Sequence, residues 1–406
     1  MSSLIRTGKQ LIASLHRKNP PWLKKMYAPL FLWRHSELYK NFYRFRLPLT
    51  VYSGLSADGK HALKFAYAGT EQRVCAQWLD LLFNNEPDST AIGVFWIWRL
   101  ASRLRAAQPD CAILVTEVSS RTEKHFRRHG AFIVPDMVIL EIDISSPLAA
   151  MIRQHKGLED AARRVRKHGL DAELTTESSR KETFYYDMHL PFINRRYGDA
   201  AILRSDDSGL QILADSELLF VNHQGSPIAG VTINRHKAIP TLEQLGVSQA
   251  HPNPAAMGGI AAVYYFSIQT LQQQDYDRMD IGGTPAFLSN GLLRFKRSMG
   301  AGLSVTRQRD EFNLALQVLN LTDESTSILQ RIPFISFDSD HHLQRNLFVT
   351  ANEPLDLDTV DSLLKTTRLP GLDSTTIYCS TLPSDSVTAR FAGQPIRFLP
   401  LTSISG

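Results

Sequence analysis

Residues Met257–Gly302 read MGGIAAVYYFSIQTLQQQDYDRMDIGGTPAFLSNGLLRFKRSMGAG. A double glycine opens a run with Ile260, Val263, Ser267 and Leu271 on one face and Gln269, Gln272 and Gln273 on the other. This pattern predicts an amphipathic helix from Gly258 to about Gln274. A short strand, Asp277–Ile281, follows and runs out in Asp280-Ile-Gly-Gly, and then comes the basic run Gly291-Leu-Leu-Arg-Phe-Lys-Arg. A glycine-led helix start offers backbone N–H groups and partial positive charge to a phosphate-bearing donor. The basic run suits an anionic acceptor or an oxyanion that develops during reaction.

Upstream, the loop Ser248–Ala256 carries Pro252 and Pro254, preceded by an expected strand at Ala238–Val247. Leu218–Asn222 and Ile228–Asn234 flank His-Gln-Gly-Ser-Pro and read as a hairpin. Further back, Leu158–His168 is an expected helix with Leu158, Ala161, Ala162 and Val165 as its apolar stripe. Arg163, Arg164, Arg166 and Lys167 crowd its other side, and Gly169 is a natural stop. A strand (Leu170–Thr175) and a long helix (about Arg180–Tyr197) come next. The earlier part alternates in the same way: strands at Leu47–Ser53, His61–Tyr67, Ile92–Trp96 and Cys111–Val115, and helices at Glu71–Phe83 and Ile97–Ala107. Ser120-Arg-Thr-Glu123 reads as a capping box, and Ala131–Ile144 as one long β run. From about Leu321 the pattern loosens, with one expected helix at Leu357–Lys365.

A chain of 406 residues exceeds the size at which one core keeps growing. The expected organisation is a basic aromatic helical segment (1–46), two tandem α/β units (47–150 and 151–320) and a small C-terminal α/β extension (321–406). With 43% hydrophobic and 21% charged residues the composition is that of a globular chain, and no apolar run is long enough to span a bilayer. The N-terminus lacks a continuous apolar region with a small-residue cleavage site, so no signal peptide is expected. Cys75, Cys111 and Cys379 are far apart and without CxxC spacing, which fits buried thiols in a reducing cytoplasm.

Residues 1–46 hold ten Lys/Arg against one acid, Glu37, a net +9 that leaves −4 for the remainder of a +5 chain. Eight aromatics are interleaved, from Trp22 to Phe45. Three uses fit: helices that dock their aromatics on the next unit, peripheral contact with the inner face of an anionic membrane, or a grip on RNA phosphate.

The order hairpin, long strand, proline-glycine loop, helix, strand resembles the GNAT superfamily of acyltransferases. Leu158–Gly169 (LEDAARRVRKHG) looks like the basic helix opening the second half of FemAB-like proteins. Asp280-Ile-Gly-Gly with Gly291-Leu-Leu-Arg-Phe-Lys-Arg-Ser-Met-Gly is similar to that family's aspartate-glycine strand end and its G-[LI]-x-R-F-K-x-x-[FM]-G element. The resemblance covers Met257–Gly302 most closely, extends over 155–256, and leaves 1–46 and 321–406 outside. It implies two tandem GNAT-like mixed-sheet domains, the second catalytic, whose splayed central strands admit donor and acceptor from opposite sides. It also implies acyl-CoA as donor and a glycan-, lipid- or peptide-linked acceptor of the bacterial cell envelope or of polysaccharide biosynthesis. Two alternatives stand beside it: a FemAB-type transferase that uses aminoacyl-tRNA, and a non-catalytic scaffold with the same fold.

Under this resemblance Gly258, Gly259 and Ala261 are the donor-binding residues, although Ala255 or Ala256 stands where the GNAT loop carries Gln or Arg. Without a donor, the glycines are loop-to-helix punctuation. Lys296 matches the position that meets the developing oxyanion or an acceptor phosphate, with Arg294 beside it; a solvated basic face is the plain alternative. Asp280 either orients and deprotonates the acceptor or caps the following turn. Glu243 is a second candidate base whose direction the alternation of Leu242, Glu243, Gln244 and Leu245 leaves open. His251, His189 and Tyr197 are within reach of a cleft. No tyrosine occurs in Thr284–Ser298 to protonate a leaving thiolate, so that role falls to Ser289 or water. Asp338-Ser-Asp-His-His342 has metal-ligand types in one short loop, and no metal is expected there.

Overall fold

The computed structural model describes residues 45–197, 206–250, 254, 256–304, 312–351 and 353–404. The basic segment 1–46 therefore lies outside the described residues except for its last two positions. No helix among the described residues is long and apolar enough to cross a membrane.

β1 (Arg46–Leu55) and β2 (Ala62–Ala68) pair antiparallel from Leu49↔Ala68 to Leu55↔Ala62. α1 (Gln72–Leu82) buries Val74, Cys75, Trp78 and Leu82, after which β3 (Asp88–Trp96) returns to β1. α2 (Leu100–Ala107), β4 (Ile113–Val118), α3 (Ser120–Arg128) and β5 (Phe132–Pro135) follow. The capping box sits one residue earlier than the sequence pattern predicts. Ser119 is the cap and Thr122 its partner, because the Thr122 hydroxyl accepts from the Ser119 amide at 3.0 Å. Glu123 is instead buried and accepts from Asn313.

The expected single β run Ala131–Ile144 is two strands. The chain bends at Asp136, whose carboxylate pairs with Arg73, and β6 (Met137–Asp143) enters a different sheet. α4 (Leu148–Gln154) and α5 (Lys156–His168) lead to β7 (Leu170–Thr175), with Gly169 in the left-handed conformation (φ +59) that stops α5. The long helix is interrupted. α6 (Ser178–Phe184) passes through a π-helical turn, Tyr185–His189, into α7 (Leu190–Tyr197). α8 (Asp206–Ala214), the hairpin β8 (Glu217–His223) and β9 (Ser226–Asn234), and β10 (Thr241–Val247) come next. Gln224 (φ +52) and Gly225 (φ +77) form the hairpin turn. α9 (Gly259–Gln272), β11 (Arg278–Pro285), α10 (Gly291–Ser298) and β12 (Ala301–Leu303) complete this region.

β13 (Asn313–Val318) returns to the first sheet, between β4 and β5. After it, α11 (Asp323–Arg331), β14 (Phe334–Phe337), β15 (Leu343–Val349), α12 (Leu357–Thr366), β16 (Ser374–Cys379), α13 (Asp385–Arg390) and β17 (Ile396–Pro400) extend that sheet outward. The result is a ten-stranded sheet, β17-β16-β15-β14-β5-β13-β4-β2-β1-β3, and a seven-stranded sheet, β12-β6-β11-β10-β9-β8-β7. Both belong to the mixed α/β class expected. One apolar core runs across both, with Trp78 of α1 edge-on to Phe287 after β11 at 4.9 Å between ring centroids.

The faces of the second sheet are fixed by alternation on β9. A Cβ on Gly259 of α9 would meet the Ala229 side chain, whereas one on Gly230 would meet Phe184 of α6. Consecutive strand residues point to opposite faces. Hence α9 packs on one face, and α6 with the π turn on the other.

Candidate active site

β10 and β11 are parallel neighbours in register at one position only, Thr241↔Asp280, and then part. Two irregularities open the split. β10 slips against β9 between Leu242 and Leu245, and β11 slips against β6 between Asp280 and Gly283. Such bulges bend a strand and re-aim its side chains. The expected alternation at Glu243 therefore fails, and Leu242, Glu243 and Gln244 all line one cavity.

Two cavities meet at the split. The first, about 430 Å³, is largely apolar: Phe192, Val231, Leu245, Ile260, Tyr264 and Phe295 form much of its wall. Gly258 and Ala261 at the start of α9, with Arg164, also line it. The second, about 540 Å³, is more polar and reaches the first sheet's side through Gln77 and Asp80 of α1, with Tyr185, Lys237, Gln244 and Asp280 around it. His189, Ile193, Arg196, Leu242, Glu243, Ile281, Leu292 and Lys296 border both.

Lys296 is 5% exposed. α10, capped by Asn290 Oδ1 accepting from the Leu292 and Leu293 amides, directs it at the kinked end of β11. There Nζ donates to the carbonyls of Ile281 (2.6 Å), Gly282 (3.2 Å) and Gly283 (3.2 Å). An ammonium has three protons for three acceptors, so this cradle suits the charged form. Burial opposes the charge and pulls the pKa down to about 7, while nearby Asp280 favours it. Asp280, 4% exposed, accepts from the Gly282 amide at 2.7 Å and also lines the second cavity, so the turn-capping geometry and a place in the site coexist. Gly282 has φ +74, a backbone that glycine adopts without strain. Glu243 is ion-paired with Lys237 through one carboxylate oxygen, and its other, Oε2, is buried with no hydrogen-bond partner among the described residues.

The sequence pattern gave His189 no distinguishing role, yet it borders both cavities at the end of the π turn. Such turns are frequent at functional sites. Its ring stacks near Phe184 and Tyr185, at 6.3 and 5.6 Å between centroids with 27° and 28° between planes. Nδ1 is 2.8 Å from the Leu245 carbonyl, which can only accept, so Nδ1 carries the proton in the neutral ring and Nε2 keeps its lone pair. Burial holds its pKa below the ordinary imidazole value, against the pull of the Leu245 carbonyl. The π turn approaches β10 closely at Gly246, where a Cβ would lie 2.8 Å from His189 N and 2.9 Å from Met188 C. Gly246→Ala should displace the turn, lowering stability by about 1–3 kcal/mol; thermal unfolding of the purified variant checks this.

Gly258, with φ +81, caps α9, and a Cβ there would fall 2.5 Å from Arg164 Cδ. Arg164 thus lies against the helix start, a cation that the run Arg163–Lys167 hides among neighbours of the same charge. The Gly259 amide donates to the Pro254 carbonyl at 2.9 Å, so one of the helix-start donors is already used. Arg294 is exposed and lines neither cavity, because two residues of helix turn it away from Lys296. Ser289 lines neither cavity as well. His251 and the side chain of Tyr197 lie outside the described residues. Asp338, Asp340 and His342 bring ligand atoms within 4.8 Å of one another, and Asp338 Oδ1 accepts from the Asp340 and His342 amides.

No protein family and no curated protein matches the chain. Among solved structures it is similar to FemX, at 11% identity over 65% of this chain and 88% of that one, with a TM-score of 0.34. It is similar to L-PGS from Bacillus licheniformis at 11% identity, over 69% of this chain and 87% of that one, with a TM-score of 0.31. A GCN5-related N-acetyltransferase from Sphaerobacter thermophilus matches at 10% identity over 63% and 71%, with a TM-score of 0.28. TM-scores this low speak to neither substrate nor activity.

Proposed function

We propose that this chain is an acyltransferase that moves an acyl group from a CoA-type thioester in the apolar cavity to an amine or hydroxyl in the polar one. The acceptor class is a cell-envelope, polysaccharide or lipid precursor. The observation that carries this reading is the meeting of the two cavities at the β10–β11 split, where Lys296, Glu243 and His189 border both. A thioester threaded through the split would present its carbonyl carbon to a nucleophile approaching from the other side, and proximity then supplies much of the rate. The nucleophile bonds to that carbon and gives its proton to His189 Nε2; the C–S bond breaks, and the departing thiolate takes up a proton through solvent. The Lys296 ammonium favours the negative charge on the carbonyl oxygen through its field, and Glu243 Oε2 and Asp280 orient an acceptor N–H or O–H. Arg164 and the start of α9 suit the donor's phosphates.

The full chain incubated with acyl-CoA esters of graded length and a panel of amino-sugar and lipid-amine acceptors should release free CoA thiol only when an acceptor is present. Absence of thiol release, together with no thermal stabilisation by acyl-CoA, would rule the donor out. The Gly259 amide, committed to Pro254, favours a second reading in which the donor is an aminoacyl-tRNA; consumption of labelled aminoacyl-tRNA with no response to acyl-CoA would select it.

A further inference from the structure

Among the described residues the first sheet ends in β3, and exposed aromatic and aliphatic side chains gather at this edge. Trp98 is 53% exposed and Val94 45%. The Trp96 and Trp98 rings stack at 5.1 Å with 12° between planes; Phe45 stands 6.4 Å from Trp98, and the Arg46 guanidinium lies 5.5 Å over Trp96. Register explains the clustering. Arg46 pairs with Trp96 and Pro48 with Val94, which places all four on one face, whereas Leu47 and Leu49 point into the core on the other. Exposed Arg46 and Arg99 flank the aromatics on this face, and no acid occurs between Asp88 and Asp110.

We propose that this edge is a docking surface for an anionic lipid bilayer. Indole rings with one apolar and one polar side favour the headgroup boundary, and arginines there are attracted to anionic lipid. Partly exposed Val94 adds an aliphatic group that inserts among acyl chains but gives a nucleobase no stacking partner, which favours lipid over RNA. Two features of the sequence point the same way. No acid interrupts residues 89–109, and the segment that precedes Phe45 in the chain, residues 1–44, carries a net +8 with seven further aromatics. The surface is separate from the β10–β11 split, so it stands or falls apart from the transfer chemistry.

Co-sedimentation of the full chain with phosphatidylcholine vesicles, with and without phosphatidylglycerol, tests it. Binding is expected only with phosphatidylglycerol, and should weaken as salt is raised. Trp98→Ala and the pair Arg46→Glu with Arg99→Glu should each reduce apparent partitioning by about ten-fold, whereas Leu382→Ala, at an exposed leucine elsewhere on the surface, should not. These side chains are exposed, and thermal unfolding of each variant shows whether the fold is retained. Three results would overturn the proposal: no binding to phosphatidylglycerol vesicles, binding unchanged by the edge substitutions (so that residues 1–44 alone carry it), or edge-dependent binding of unfractionated tRNA without vesicle binding.

Discussion

Lys296→Met is expected to leave a folded chain whose transfer rate falls by about 10²–10³. Two opposed costs at one side chain set the stability side. A pKa pulled from 10.5 to about 7 means that the buried ammonium costs roughly 5 kcal/mol at and below neutral pH. Methionine removes that cost but leaves the carbonyls of Ile281, Gly282 and Gly283 without their donor, about 1–3 kcal/mol for each buried group. The terms nearly offset, so the net change should be a few kcal/mol at most. Linkage supplies a second readout. A lysine whose pKa is depressed on folding lends stability above its unfolded pKa, and that contribution is lost as pH falls from about 10.5 to about 7. Wild type should therefore gain stability as pH rises across this window, and Lys296→Met should not. If the variant retains full transfer activity while its pH-stability slope vanishes, Lys296 only fastens the kink of β11.

The second large effect concerns pH. In the proposed transfer His189 must be neutral to accept a proton, and burial depresses its pKa, so activity should rise as pH climbs through a value below 6.5. Lys296 must be charged, so activity should fall as pH passes about 7. The profile should be a narrow bell. His189→Gln should lower kcat by about 10²–10⁴ and erase the acid limb, while residual activity in Lys296→Met should lack the alkaline limb. An unaltered acid limb in His189→Gln would transfer the base role to Glu243 or Asp280.

Much of the fold was legible because its signals are local. Gly258-Gly259 punctuates a helix start, and Leu158, Ala161 and Ala162 mark the buried stripe of α5 that the structure confirms. Lys296 was legible through its motif, and its burial through nothing in the sequence. What stayed hidden depends on neighbours distant in the chain. The bulge at Leu242–Leu245 arises from pairing with β9, so strict alternation misleads at Glu243. The π turn that delivers His189 looks like ordinary helix in sequence, and its close approach to Gly246 involves a residue more than fifty positions away. Arg164 rather than Arg294 lies at the cavity because helix phase, not closeness in sequence to Lys296, decides which side chain arrives.

The placement of β13 has a consequence in time. β4, all six of its residues buried, and β5 are held together by a strand made almost 200 residues later. At about 5–20 residues per second of synthesis, the nascent chain carries this gap for roughly 10–40 seconds. During that interval the edges of β4 and β5 are open to any other extended segment, including the same strands of a neighbouring nascent chain. The yield of this protein should therefore respond to translation speed and to chaperones that shield bare strand edges more than its final stability would suggest.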